Sequence, residues 1–509
     1  MIIVTHNNQQ VLRVFSEAKQ TVLDFSPKQS IIEVLYAFAS QNPESLLVWQ
    51  HESLAEQLDL DYIANIPAIH KKVLSFSSNA FLPPQIGYVE QSPFIAVNKK
   101  VCYPTWQMSG QVGCIKASNL LQFQYVVNDT NFSYALCSIA KLAMPQGLWC
   151  YSDPKLVQSD VVISEEMSSI KNLFKFVKQH YKSVWVGLLF LNLLIYEKQW
   201  TLFSVLGALS LKRRLSKFKI NDTPLELKSS LEPPSIDVII PTIGRANYLY
   251  NVLKDLTKQT VLPKKVIVVE QNPEPGDNTQ LPFIQEEEWP FQIKHHFIQQ
   301  TGVCNARNLA LKSVTSEFVY LADDDNVFEA NLIQNALNFI QVSGTSTLSM
   351  SYLQKDEIEK IETTVQWPTF GGGCSIISSE LLKSVKFDLA LEHGYGEDVD
   401  FGMQLRKAGA DIIYHPNLKI LHLKAPVGGF RTTFKQPWTE DALQPKPSPT
   451  VLYSMIKHQT KEQILGYKTL LFIKFYTKQS IKNPIKYHKV FKKRWTRSLY
   501  WVEKIKHNF

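Results

Sequence analysis

The sequence has little cysteine, and none of it is arranged to bind metal. Cys102, Cys114, Cys137, Cys150, Cys304 and Cys374 are scattered through 509 residues without a CxxC spacing. That argues against zinc-ribbon and disulfide scaffolds and suits a reducing cytoplasm, where such thiols are small core residues. The opening MIIVTHNNQQ has no basic stretch followed by an apolar run and a small-residue cleavage site, so no secretory leader is expected. Long apolar runs are missing as well. Residues 184–196 and 200–211 are apolar but broken by Glu197-Lys198-Gln199, each short of the ~20 residues that span a bilayer. No recognised RNA- or DNA-binding motif occurs, so nucleic acid is not an expected partner. Acidic residues run out at the end: residues 451–509 hold 14 Lys/Arg against two Glu, although the whole chain carries only +8. A basic tail of this kind points to an anionic partner or to a solvated helix face.

What remains is the composition of a folded protein, 45% hydrophobic and 20% charged, in a chain long enough for two or three domains. Residues 1–160 read as an α/β domain. Residues 161–233 read as a helical connector ending in a polar linker at 221–234, residues 234–440 as a second α/β domain, and residues 441–509 as a basic helical tail. In the second domain, apolar runs at 236–240, 265–269 and 318–322 have the look of buried parallel strands. Helical spacing is expected at 248–260, 307–313 and 399–407. Each run ends in a polar cluster: Pro241-Thr242, Glu270-Gln271, and Asp323-Asp324-Asp325. Ligands in open parallel sheets sit beyond the carboxyl ends of the strands, which places these clusters on one rim.

Two constellations carry chemistry. Alternate carboxylates after a strand can hold a hard divalent cation; acids in such a turn can equally cap a helix. Glu397 and Asp398, in Gly394-Tyr395-Gly396-Glu397-Asp398, open a helix, where acids complement the helix dipole or act as a general base. Upstream, Gly371-Gly372-Gly373 lets backbone approach a ligand closely.

The stretches VIIPTIGRANYLYNVLKDLTKQT, KKVIVVEQNP, TGVCNARNLAL, EFVYLADDDNVF, FGGGCSIISSELL and GYGEDVDFGMQLRKAGADIIYHP lie in order within residues 236–424. In content and order they resemble a family-2 glycosyltransferase of the GT-A fold. The resemblance implies an α/β domain with a Rossmann-like, mostly parallel sheet flanked by helices, and it implies residue roles. Pro241, Thr242, Arg245 and Glu270 would line the nucleotide, Arg307 and Asn308 would shape the donor site, and Gly372 and Gly373 would border it. Asp323 and Asp325 match the DxD pair, the second holding Mn²⁺ or Mg²⁺ on the diphosphate, with His422 a further ligand or a structural residue. Asp398 matches the catalytic base, and Glu397 would help bind the acceptor. The expected reaction is inverting, metal-dependent transfer of one sugar from a nucleotide-diphosphate sugar to a hydroxyl. Where the family usually ends its second strand in an Asp pair, this chain has Glu270-Gln271, which leaves the base open. It also lacks the Q-x-x-R-W element of processive synthases, which favours single-sugar transfer.

The first domain carries a fainter echo. Residues 113–121 parallel 373–381, and 151–156 parallel 414–418, while residues 46–53 and 132–141 stand where the acids should be but hold none of the required pairs. It reads as a transferase-like domain without its acids, or as an unrelated α/β domain. The two apolar runs, flanked by Lys175, Lys178 and Lys182 and by Lys212, Arg213, Arg214 and Lys217, read as a hairpin in a membrane interface or as a buried helix pair. Together these features suggest a cytoplasmic enzyme, peripheral on the inner face of the cell membrane, with an anionic surface as partner and a glycan or lipid-linked acceptor. Oligomeric state is not readable. The rival readings are a sugar- or lipid-binding scaffold without turnover and a nucleotidyltransferase, for which PTIGR is a poor phosphate-activating motif.

Overall fold

The structure, a computed structural model, describes residues 1–158, 165–215, 217, 218, 220, 232–426 and 435–508. Most of the linker expected at 221–234 therefore lies outside the described residues. The chain forms two compact units: Met1–Pro224 with Gln459–Leu470, and Leu225–His458 with Leu471–Phe509.

The first unit contains β1 (Ile2–His6), β2 (Val11–Ser16), β3 (Thr21–Val22), β4 (Leu46–His51), β5 (Lys72–Phe76), β6 (Tyr103–Pro104), β7 (Val112–Lys116) and β8 (Trp149–Ser152). They form one sheet in the order β3-β2-β1-β4-β7-β5-β8-β6. Strands β1 and β4 are parallel, as are β5 and β8, while β7 runs antiparallel to both of its neighbours.

The second unit contains β9 (Ile236–Thr242), β10 (Lys265–Gln271), β11 (Gln292–Ile298), β12 (Phe318–Ala322), β13 (Asn326–Phe328), β14 (Thr347–Leu353), β15 (Val365–Gln366), β16 (Cys374–Ser378) and β17 (Ile413–His422). Their order is β11-β10-β9-β12-β16-β14-β17-β13, with β15 on β17. Strands β11, β10, β9 and β12 are mutually parallel, and β16 opposes β12 and β14. Helices cover both faces, which is why β9 reads as a continuous apolar run. Ile236, Val238 and Ile240 pack with Leu249, Val252 and Leu256 of the helix Ala246–Thr257 on one face. Ile239 packs on the other face with Cys304, Ala306, Phe401 and Leu405. The one acid in β9, Asp237, is fully buried and takes the backbone N–H groups of Thr315 (2.7 Å) and Ser316 (3.1 Å), fixing the turn into β12.

The six cysteines are free, five of them buried.

Candidate functional site

The site grows from the ends of three neighbouring strands. Chain leaving β12 enters Asp323-Asp324-Asp325 and then β13, whose Asn326 pairs opposite His422 of β17. That register sets His422 beside the triplet. The middle acid is the anchor: buried Asp324 accepts from Thr242 Oγ1 at 2.7 Å and from Arg245 Nη1 at 2.6 Å. Burial pushes its carboxyl up to about 6, against the Arg245 charge and the Thr242 hydrogen bond. Asp325 is also buried. Burial would raise its pKa, but the His422 imidazole beside it and donation from the Ala425 amide (2.8 Å) outweigh this and hold the group below the usual carboxylate range. Its Oδ1 lies 3.5 Å from His422 Nε2, and the His422 ring stacks on Tyr352 at 4.5 Å.

Asp323 faces the opposite wall. It accepts from Tyr352 Oη (2.9 Å) and Arg307 Nη2 (3.3 Å), while Arg307 Nη1 donates to Asp398 Oδ1 at 3.3 Å. One buried guanidinium thus links the first acid of the triplet to the candidate base. Glycines make this closeness attainable. A Cβ on Gly372 would stand 2.4 Å from Arg307 Nη1 and 2.5 Å from Asp398 Oδ1, and one on Gly373 would stand 2.1 Å from Asp323 Oδ2. The Gly372 amide donates to Asp398 Oδ2 at 3.1 Å.

Glu397 and Asp398 begin the helix Glu397–Lys407, entered through Gly396 at φ +120°. Burial, reinforced by the neighbouring Asp398 charge, pushes Glu397 up to about 7. Burial also raises Asp398, with the Arg307 charge opposing it. Two carboxyls at one cleft, both pushed toward neutral pH, are a setting for proton transfer. The helix is braced from the tail. Buried Asp400 accepts from His458 Nε2 (2.6 Å) and Lys457 Nζ (2.7 Å), and Lys457 reaches Asp388 as well (2.6 Å). The helix Pro449–His458, assigned from sequence to the basic tail, thus packs within the second unit against the helix Glu397–Lys407.

The cleft has a volume of about 530 Å³ and gathers Pro241, Thr242, Arg245, Arg307, Asp323, Asp325, Gly372, Gly373, Glu397, Asp398 and His422. Two residues expected there lie elsewhere. The Glu270 carboxylate is taken by Thr279 Oγ1 (2.5 Å), the Gln280 amide (2.7 Å) and His295 Nε2 (2.9 Å), and Gln271 lines the cleft in its place. Asn308 clasps Phe387, donating to its carbonyl at 2.8 Å and accepting from its amide at 2.9 Å. Residues not expected from sequence are Asp324, Tyr352 and Glu392. Glu392 accepts from the Cys304 and Asn305 amides at the start of the helix Val303–Leu311.

Among the described residues, no group of three or more His, Cys, Asp or Glu side chains stands ready to hold a metal. Two donor atoms nevertheless suit one. Asp325 Oδ1 is buried without a hydrogen-bond partner, and His422 Nε2 is its neighbour. A hard cation could take these two and complete its shell from phosphate oxygens and water.

Residues 237–383 match the family described as glycosyl transferase family 2. An uncharacterized glycosyltransferase of Rickettsia bellii is 23% identical over 145 residues, 28% of this chain and 21% of that protein. Another, of Rickettsia conorii, is 24% identical over 168 residues, 31% of this chain and 27% of that protein. The chain therefore matches about a fifth to a quarter of the length of these curated relatives. Among solved structures, S. aureus TarS 1-349 in complex with UDP-GlcNAc aligns over 53% of this chain and 74% of that one, at 17% identity and a TM-score of 0.34. The family match ends before Asp398 and His422.

Proposed function

We propose, on the premise that residues 237–383 are a family-2 glycosyltransferase domain in a GT-A-type α/β unit, that this chain transfers one sugar from a nucleotide-diphosphate sugar to an acceptor hydroxyl with inversion. The observation that carries the reading is the Arg307 bridge between Asp323 and Asp398 in one cleft. It holds a donor-side acid and a candidate base side by side with a fixed positive charge between them.

Asp398 accepts the proton of the acceptor hydroxyl as its oxygen attacks C1 from the face opposite the diphosphate. The C1–O bond to phosphate breaks, and the electron pair leaves with the nucleoside diphosphate. A raised carboxyl pKa makes Asp398 a stronger base than a free aspartate while leaving it ionised above that value. Glu397, titrating near 7, holds a proton part of the time and can donate it to an acceptor oxygen. Thr242 and Arg245 act through Asp324, which fixes the triplet so that Asp325 points into the cleft. Asp325 and His422 would hold Mn²⁺ or Mg²⁺, whose charge stabilises the departing diphosphate when the ion is bound.

The acceptor we infer is a glycan, lipid-linked and met at the cytoplasmic face of the cell membrane, in surface polysaccharide or glycolipid synthesis. The first unit is, in this reading, a copy of the transferase fold that has lost metal and base. The test is binding and hydrolysis across a panel of nucleotide sugars with Mn²⁺, comparing wild type with Asp325→Ala and Asp398→Asn. Asp325→Ala should abolish metal-dependent donor binding, and Asp398→Asn should keep binding and lose turnover. If no nucleotide sugar binds in the presence of metal, the transferase reading fails and a sugar- or lipid-binding scaffold replaces it.

A further inference from the structure

The connector of the first unit wears its apolar residues on the outside. Within it, the helix Val184–Asn192 is held by Val186 and Leu189, both buried in the unit's core, as is Leu193 just after it. The chain then reverses at Lys198, at φ +60°, and enters the helix Leu202–Leu209. That helix turns Val205 and Ala208 toward the core and leaves the other face bare. Phe203 is 86% exposed, Trp200 66%, Leu206 57% and Leu209 49%. Phe203, Leu206 and Leu209 recur every three residues along the helix, so they form one stripe rather than scattered surface residues, and Trp200 lies just before it, edge-on to Phe190. A contiguous apolar patch of this kind is a binding surface or an aggregation hazard.

Its surroundings favour a lipid surface. The rim is basic: Lys182, Lys198, Lys212, Arg213 and Lys217 are all exposed. The acid in the turn, Glu197, is drawn inward, accepting from Tyr88 Oη at 2.9 Å and Gln85 Nε2 at 3.1 Å. The outward charge beside the stripe is thus positive. No helix among the described residues is long and apolar enough to cross a membrane. A helix of eight residues reaches about 12 Å, against a hydrocarbon core of about 30 Å. Apolar stripe, basic rim and insufficient length together describe an element that lies in the interface.

We propose that this hairpin is a membrane-dipping anchor, with Trp200, Phe203, Leu206 and Leu209 among the acyl chains and the lysines against lipid phosphates. The inference deepens the reading of a membrane-side acceptor. Its test reads lipid binding and not turnover, so either can fail alone. The full-length chain is floated with vesicles of phosphatidylcholine and phosphatidylglycerol and, separately, of phosphatidylcholine alone. Wild type should float with the anionic vesicles. Phe203→Ser/Leu206→Ser should cut the bound fraction by about tenfold with an unchanged circular dichroism spectrum, because these side chains support nothing beneath them. Lys212→Glu/Arg213→Glu should lower binding to the anionic vesicles by a similar, salt-dependent factor. The proposal falls if wild type stays behind with both vesicle types, or if Phe203→Ser/Leu206→Ser floats as well as wild type. It falls equally if wild type is a dimer that this variant splits and neither form binds lipid; the stripe then belongs to a second copy.

Discussion

The two units share a sheet topology and differ at the acids of the candidate site. The path β1-β4-β7-β5-β8-β6 repeats the path β9-β12-β16-β14-β17-β15 in order and in the sense of each pairing. Register then gives residue equivalences. Val48 faces Cys114 as Ala322 faces Cys374, so Trp49 stands where Asp323 does. A Cβ on Gly113 would strike the Trp49 ring at 2.4 Å, just as one on Gly373 would strike Asp323. Gln50 donates to Thr5 Oγ1 at 3.0 Å where Thr242 donates to Asp324. Ser133, second in its helix as Asp398 is in its own, accepts from the Gly110 amide at 2.8 Å, two residues before the register counterpart of Gly372. The first unit also replaces the parallel β9–β10 pair with the antiparallel hairpin β1–β2, removing the strand that brings Gln271 to the cleft. A fold can thus keep its hydrogen-bond scaffold while an indole fills the place of a carboxylate, because burying Trp49 needs only one acceptor, the Ser109 carbonyl at 3.1 Å.

The comparison breaks most sharply at the base. Asp398→Asn should lower kcat by about 10²–10⁴-fold with donor affinity retained. Ser133→Ala, at the equivalent place, should leave turnover unchanged. Steady-state kinetics on both variants decides it; a loss of turnover in Ser133→Ala would mean that the first unit takes part in the reaction.

Next in size is a pH effect confined to the first unit. Glu165, hydrogen-bonded by Ser133, is pushed up to about 7 from 4.5, chiefly by burial. Its native pKa lies above the unfolded one, so the native state holds the extra proton. The stabilisation is complete below about pH 4.5 and is lost as pH rises through about 7, a change of about 3 kcal/mol. Urea unfolding at about pH 5 and about pH 8 should show this decline, and Glu165→Gln should flatten it. Equal slopes in the two proteins would assign the pH dependence to other groups.

How much of this was readable from sequence follows from the range of each interaction. Periodicity located the strand at 318–322 to the residue. It found the helices at 246–257, 303–311 and 397–407 with starts shifted by two to four residues. The DxD, glycine and Glu-Asp clusters were legible because each is local. Asp324 was not, since its partners Thr242 and Arg245 lie about 80 residues upstream and leave no local pattern. The same holds for Glu392 on the Cys304 amide and for His458 on Asp400. Glu270 and Asn308 carry the residue types expected of a donor site, yet nearby loops consume their hydrogen bonds, and no spacing rule could foresee that.

A matched pair of glycine substitutions should give smaller, opposite readouts. In Gly113→Ala the new methyl would lie 2.2 Å from the Leu74 carbonyl, a backbone atom that cannot swing away. The expected loss is about 1–3 kcal/mol of stability with little change in donor binding. In Gly373→Ala the obstacle is the Asp323 side chain, which can rotate. Stability should hold better there while kcat/KM falls. Thermal unfolding and donor titration on the two variants separate these outcomes, and equal stability losses would remove the distinction.

The smallest expected effect comes from turning one residue of the second unit into its counterpart. Leu74 and Met350 occupy equivalent register positions, which makes Phe76 the counterpart of Tyr352. Tyr352→Phe keeps the ring that stacks on His422 and removes only the hydroxyl that donates to Asp323 at 2.9 Å. One hydrogen bond to a partly solvated carboxylate contributes about 1 kcal/mol, so kcat/KM should fall by about fivefold with no change in fold. The loss should grow with decreasing Mn²⁺ if the hydroxyl orients Asp323 toward the metal-bound donor. A loss independent of Mn²⁺ would instead assign Tyr352 to the packing of His422, a role that Phe76 could fill equally well.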